Sequence, residues 1–140
     1  MKKVLVIDDQ DSLRNMLVRM LKSSDFETRS AENGSEGMAI CRDWAPDVIL
    51  TDVFMPEQDG LETIRAVRKL RKDIGIIAMS GGGEMGEFEM LRTARMLGAT
   101  RILTKPFTMA ELKNALDEVL IETAAATPDE KHEPPDEGSG

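Results

Sequence analysis

In the stretch Asp47-Val48-Ile49-Leu50-Thr51-Asp52-Val53-Phe54-Met55-Pro56, an apolar run ends two residues before an acid, and a Met-Pro pair then breaks the chain direction. A short apolar run between turn signals reads as a buried strand of a parallel sheet. Asp52 then stands at the carboxyl end of a central strand, the edge where ligands and chemistry gather in open α/β sheets. Taken alone, the acid reads equally well as the start of a turn. The surrounding sequence decides between the two.

Upstream, Val4 to Ile7 is a second buried strand, ending in Asp8-Asp9. Leu13, Met16, Leu17, Met20 and Leu21 follow at i, i+3, i+4, i+7 and i+8, an amphipathic helix that Asp11 or Ser12 is placed to cap. Phe26 to Ser30 reads as an edge strand. Asn33-Gly34 signals a turn, and a helix from Ser35 to Arg42 turns Met38 and Cys41 inward until Pro46 stops it. Downstream, Asp59-Gly60 opens a helix with Leu61, Ile64, Val67 and Leu70 on its apolar side. Ile74 to Met79 is a buried strand interrupted only by Gly75, and Ser80 to Gly83 is a loop. Met85, Phe88, Leu91, Met96 and Leu97 mark a helix that Gly98 terminates. Thr100 to Leu103 is the fifth strand. Thr108 and Glu111 form a capping box for a last helix carrying Leu112, Leu116, Val119 and Leu120. Five strands alternating with helices imply an α/β fold, with right-handed crossovers and helices on both faces.

The chain has 140 residues, enough for one domain with a sizeable core. No apolar run approaches the roughly 20 residues that cross a membrane. The single cysteine, Cys41, excludes an internal disulfide framework and fits a reducing, cytoplasmic setting. A net charge of −8 and the lack of tyrosine argue against nucleic acid or an anionic membrane as partner. Residues 1–123 are expected to form the domain. Residues 124–140 are expected to be a disordered acidic tail, because their Pro, Gly and acid content buries too little surface to offset ordering. Five acids and one base give this segment −4, half of the total. The one histidine, His132, falls there and is expected to be solvated.

With parallel strands, Asp8, Asp9, Asp52, Ser80 and Lys105 all arrive at one edge of the sheet. Three close carboxylates repel one another, and a divalent cation relieves this. Oxygen-only ligands favour Mg²⁺, which keeps several waters and accepts phosphate oxygens. One carboxylate can also act as a nucleophile and form an acyl phosphate, with cation, ammonium and hydroxyl neutralising the phosphoryl oxygens.

These residues, with Met55-Pro56, Asp59-Gly60 and Lys105-Pro106-Phe107, resemble the receiver domain of the two-component response regulators over about residues 3 to 121. The length resembles the stand-alone single-domain type. The resemblance implies a flavodoxin-like, doubly wound five-stranded sheet of order 2-1-3-4-5 in three αβα layers. It implies that Asp52 accepts a phosphoryl group from a sensor histidine kinase or histidine phosphotransfer protein. Asp9, Asp52 and the Phe54 backbone carbonyl would ligate Mg²⁺, with Asp8 helping through water. Lys105 would contact the phosphate, and its bond to Pro106 would be cis. The chain would be a switch rather than an enzyme, modifying only itself at Asp52. Output would run through the fourth helix, fifth strand and fifth helix to a downstream protein, or by phosphoryl relay.

Two positions depart from the family pattern. Ile102 stands where an aromatic switch residue is common, so Ser80 would carry the switch without a rotating ring. Phe54 stands where a small or polar residue is common. Among rival readings, a P-loop lacks its GxxxxGK[ST] motif, and a flavin site lacks paired aromatics. A haloacid-dehalogenase-like phosphatase would need an acid at Phe54. A degenerate receiver acting as a constitutive docking module is the remaining alternative.

Overall fold

Strands β1 (Lys3–Ile7), β3 (Val48–Asp52) and β4 (Gly75–Ser80) are apolar along most of their length, as a sheet covered on both faces requires. In the computed structural model, which describes residues 1–53, 60–81 and 87–125, they form one sheet with β2 (Glu27–Ala31) and β5 (Arg101–Thr104). All pairings are parallel, in the order β2-β1-β3-β4-β5. The connecting helices are α1 (Asp11–Ser23), α2 (Gly34–Trp44), α3 (Gly60–Leu70) and α4 (Glu87–Leu97), and α5 (Met109–Ala125) follows β5. Alternation along each strand sorts the core into two layers. Leu5, Ile7, Ile49, Ile76 and Ala78 pack with Met38, Cys41, Ile64, Val67 and Ala94 of α2, α3 and α4. Val4, Val6, Val48, Leu50, Ile77 and Met79 pack with Leu17, Leu21, Leu112, Leu116 and Val119 of α1 and α5. The expected order and three-layer architecture are both present.

Local chemistry fixes the helix ends. Asn33 caps α2 by accepting from the Glu36 N–H at 2.8 Å. The expected capping box closes in both directions: Thr108 N–H donates to Glu111 at 2.8 Å, and Glu111 N–H donates to Thr108 Oγ1 at 3.1 Å. Ala45 ends α2 in the left-handed region, at φ 55, just before Pro46. Gly98 follows α4 at φ +128. There it lies against Arg68, whose guanidinium donates to the Gly98 carbonyl at 2.7 Å and to those of Lys72 and Ile74 at 2.8 and 2.9 Å. Arg68 thereby ties the turn after α3 to the turn after α4.

Several expectations need correction. The N-cap of α1 is Gln10, not Asp11 or Ser12, and its side chain makes no capping bond. The Asp8 carboxylate instead accepts from the Gln10 N–H at 2.9 Å, so the turn is set by the strand end. Met16, Leu70 and Met96 are exposed rather than inward: Met16 and Leu70 lie beside the buried arc of their helices, and Met96 falls on the far side of α4 from Ala94. In α4, the small Ala94 takes the fully buried position. Strand β2 is shifted one residue toward the carboxyl end from the expected Phe26–Ser30. Gly75 opens β4 rather than interrupting it, and Val119 of α5 packs against it closely enough to leave no room for a Cβ.

At the amino-terminal edge of the sheet, Trp44 is only 6% exposed. Its ring lies 4.7 Å from the Arg29 guanidinium carbon and 5.6 Å from Lys3 Nζ, both within cation–π range. Lys3 also donates to the Trp44 carbonyl at 3.2 Å. The expected tail, apart from Ala124 and Ala125 at the end of α5, lies outside the described residues. So do Phe54, Met55, Pro56, Asp59, Gly82, Gly83 and Met85, and the side chain of Phe88.

Candidate functional site

The sheet register delivers the site. Ile7 pairs with Thr51, Asp52 with Met79, and Ser80 with Thr104. Parallel pairing continues one step past the strand ends through Asp8 N–H to Ala31 at 3.1 Å, Val53 N–H to Met79 at 3.0 Å and Lys105 N–H to Ser80 at 2.8 Å. Asp8, Asp52, Ser80 and Lys105 are thus held by main-chain bonds at one carboxyl edge. By strand alternation, Asp52 follows Val48 and Leu50 on the α1/α5 face, whereas Ser80 follows Ile76 and Ala78 on the other. Ile102 pairs with Ala78 and packs half-buried on that second face. The two residues expected to switch therefore share the face that α4 covers.

Lys105 Nζ lies 3.0 Å from Asp52 Oδ2 and 3.4 Å from Asp8 Oδ2. Asp8 and Asp52 are buried, and Asp9 is exposed. The Lys105-Pro106 bond is cis, as the family resemblance implies. Burial pushes the Asp8 carboxyl above the ordinary carboxylate range, and the neighbouring Asp52 charge adds to this. The Gln10 N–H and the Lys105 ammonium act in the opposite direction. A carboxylate raised in this way disfavours its own ionised form, and a bound cation would reverse the imbalance.

The donor set fits such a cation. One carboxylate oxygen from each of Asp8, Asp9 and Asp52 lies within 4.8 Å of the other two. Small side-chain movements bring oxygens at that spacing to the roughly 2.1 Å bonds of six-coordinate Mg²⁺. All donors are hard oxygens, and Asp9 is exposed. The Phe54 carbonyl lies outside the described residues.

Three residues support the site in ways the sequence does not show. Arg14 donates to the Asp8 carbonyl at 2.9 Å and to Asp11 at 2.6 Å, joining α1 to the end of β1. Gly60 packs directly on the Asp52 carbonyl and Val53 Cα, so that no Cβ fits. Thr51 is fully buried and donates to the Asp52 carbonyl at 3.1 Å.

Comparison with known proteins agrees with this geometry. The family model described as the response regulator receiver domain matches residues 4–117. Sporulation initiation phosphotransferase F of Bacillus subtilis is 29% identical over 119 residues, covering 85% of this chain and 94% of that protein. Chemotaxis protein CheY of Listeria monocytogenes is 34% identical over 118 residues, covering 84% and 97%. Among solved structures, chemotaxis protein CheY4 of Vibrio cholerae superposes with a TM-score of 0.79 at 34% identity, covering 86% and 99%. A receiver domain protein of Clostridium thermocellum gives 0.84 at 26% identity, covering 91% and 100%. A match spanning most of the chain, on a sheet of the same order, makes this protein a member of the response regulator receiver domain family of two-component signalling.

Proposed function

We propose that this chain is a phosphorylation-dependent switch whose phosphoacceptor is Asp52. Membership of the family makes it a signalling switch rather than a classical enzyme, and receiver domains work with histidine kinases or phosphotransfer proteins. The observation that carries the finer reading is the Lys105 ammonium between the Asp52 and Asp8 carboxylates, beside three oxygens in reach of one cation. An Asp52 carboxylate oxygen attacks the phosphorus of a phosphohistidine on the partner. A P–O bond forms, the P–N bond breaks, and the electron pair leaves with the imidazole nitrogen. Lys105 then exchanges a carboxylate contact for a phosphoryl oxygen, for which its point charge is suited. Asp9 and Asp52 would hold Mg²⁺, with the Phe54 carbonyl and, through water, Asp8. When bound, Mg²⁺ neutralises phosphoryl charge. Self-phosphorylation and hydrolysis at Asp52 would be the only chemistry.

For output, the α4–β5–α5 face is the surface we favour. Met96 on α4 and Ile121 on α5 are large apolar groups that are 79% and 68% exposed. A downstream protein or a second relay carrier would dock there. We place the protein in the cytoplasm, consistent with its single buried thiol. Among the described residues, no helix is long and apolar enough to cross a membrane. We propose residues 1–123 as the working domain, with the acidic segment 124–140 appended.

Two outcomes follow. Mg²⁺ at ten times its Kd should stabilise the fold by about 1.4 kcal/mol, raising the melting temperature by a few degrees. Asp9→Ala should remove that rise while leaving the apo fold intact, because Asp9 is exposed. Identical melting curves for the native protein with and without Mg²⁺ would refute cation binding here. Separately, beryllofluoride with Mg²⁺ should shift backbone amides from Ser80 to Leu97 and around Lys105, and Ser80→Ala should shrink those shifts. Ile102 offers no hydrogen bond, so the hydroxyl has to carry the change. A full response in the Ser80→Ala variant would assign the switch to another group.

A further inference from the structure

In a chain of net charge −8, the stretch from residue 65 to 72 carries five cations: Arg65, Arg68, Lys69, Arg71 and Lys72. Arg65, Lys69 and Lys72 are exposed. Arg68 is committed to three main-chain carbonyls, and Arg71 lies 3.5 Å from Asp73. Helices antiparallel to their strands bring the ends of α3 and α5 to the same, amino-terminal edge of the sheet. A cavity of about 320 Å³ joins them there, lined by Arg68, Lys72, Asp73 and Ile74 on one side, by Glu122 and Thr123 on the other, and by Gly98 and Thr100. A second hollow along α3 is lined by Arg65 and Lys69 together with Glu62 and Ala66.

We propose that the acidic segment of this same chain from Asp129 to Glu137 docks along the basic side of α3. It would leave the end of α5 and cross the cavity beside Lys72. Asp129 is six residues beyond Thr123, a reach of at most about 20 Å, while α3 rises only about 10 Å between Arg65 and Lys72. The acids at 130, 133, 136 and 137 therefore reach every exposed cation of the patch. Charge also sets the direction. On the α5 side, Arg101 is already held by Glu118 and Glu122. Tethering makes a weak contact effective, since a short linker supplies about millimolar local concentration. The segment would cover α3 and leave the Asp52 edge open, so acidic partners of α3 would compete with it whatever the state of Asp52.

Amide NMR on the full chain tests this. The native protein is compared with a variant neutralised at all five tail acids: Asp129→Asn, Glu130→Gln, Glu133→Gln, Asp136→Asn and Glu137→Gln. Shift differences should concentrate at residues 65–73 and 98–100. They should shrink several-fold in about 1 M salt, where screening acts within about 3 Å. On a Lys69→Glu/Lys72→Glu background, the same neutralisation should leave residues 65–73 unmoved. Differences confined to the tail, or unaffected by salt, would overturn the proposal. Differences that disappear on tenfold dilution would assign the contact to a second copy and overturn it as well.

Discussion

Asp52→Asn should reduce phosphoryl incorporation from acetyl phosphate and Mg²⁺ to background. Native protein should give an acid-stable, base-labile label. The substitution preserves the size of a side chain that is only 6% exposed, so the fold should persist and circular dichroism should be unchanged. What disappears is the nucleophile, because an amide oxygen in this position cannot form the acyl phosphate. Lys105 keeps one partner, Asp8 at 3.4 Å, so the variant does not strand a buried ammonium. Label that persists in the variant would transfer the acceptor role to Asp8 or Asp9. A native protein that takes no label from any donor would instead favour the degenerate docking module.

The largest effect on stability is expected from Gly60→Ala. The new Cβ would press on the Asp52 carbonyl and Val53 Cα. These are main-chain atoms at the end of a central strand, and moving them disturbs pairing with both neighbouring strands. The cost should be about 3 kcal/mol or more, lowering the melting temperature by roughly 10 °C. Gly37→Ala is the control. Its Cβ would meet the Ile7 side chain, Cδ1 at 2.5 Å and Cγ1 at 2.9 Å, and no main-chain atom of the site. A Gly60→Ala protein melting within a degree or two of native would show that the strand end yields easily. Mg²⁺-dependent stabilisation should fall as well, because the displaced main chain carries Asp52.

The apolar runs of β1, β3 and β4 were legible because burial on both faces leaves no polar position to confuse the pattern. The alternation of strands and helices is then enough to bring Asp8, Asp9, Asp52, Ser80 and Lys105 to one edge. Less legible was anything set by tertiary contact. Met16 and Met96 look like core residues in a helical count, yet the buried arc passes them by, and only packing reveals that Ala94 fills the space. The start of α1 escaped because Asp8, the residue just past β1, captures the Gln10 N–H. Arg14 and Arg68 act through carbonyls far along the chain or across a turn, and an arginine on a helix gives no hint of that. Gly60 read simply as part of a helix opening and of the Asp59-Gly60 pair, whereas its missing Cβ lets α3 sit on the strand that bears Asp52.

The cation-flanked Trp44 has an optical consequence. As the only tryptophan in a chain without tyrosine, it dominates the intrinsic emission. It lies beside Lys3, at the opposite end of β1 from Asp8, and a five-residue strand puts roughly 16 Å between those ends. Emission from Trp44 will register unfolding of the amino-terminal edge, or loss of Arg29 or Lys3, as a change in quenching and colour. It will stay dark to events at Asp52. A titration of Mg²⁺ or beryllofluoride followed by intrinsic fluorescence would therefore look flat even while the site fills, and the occupancy has to be read by another signal.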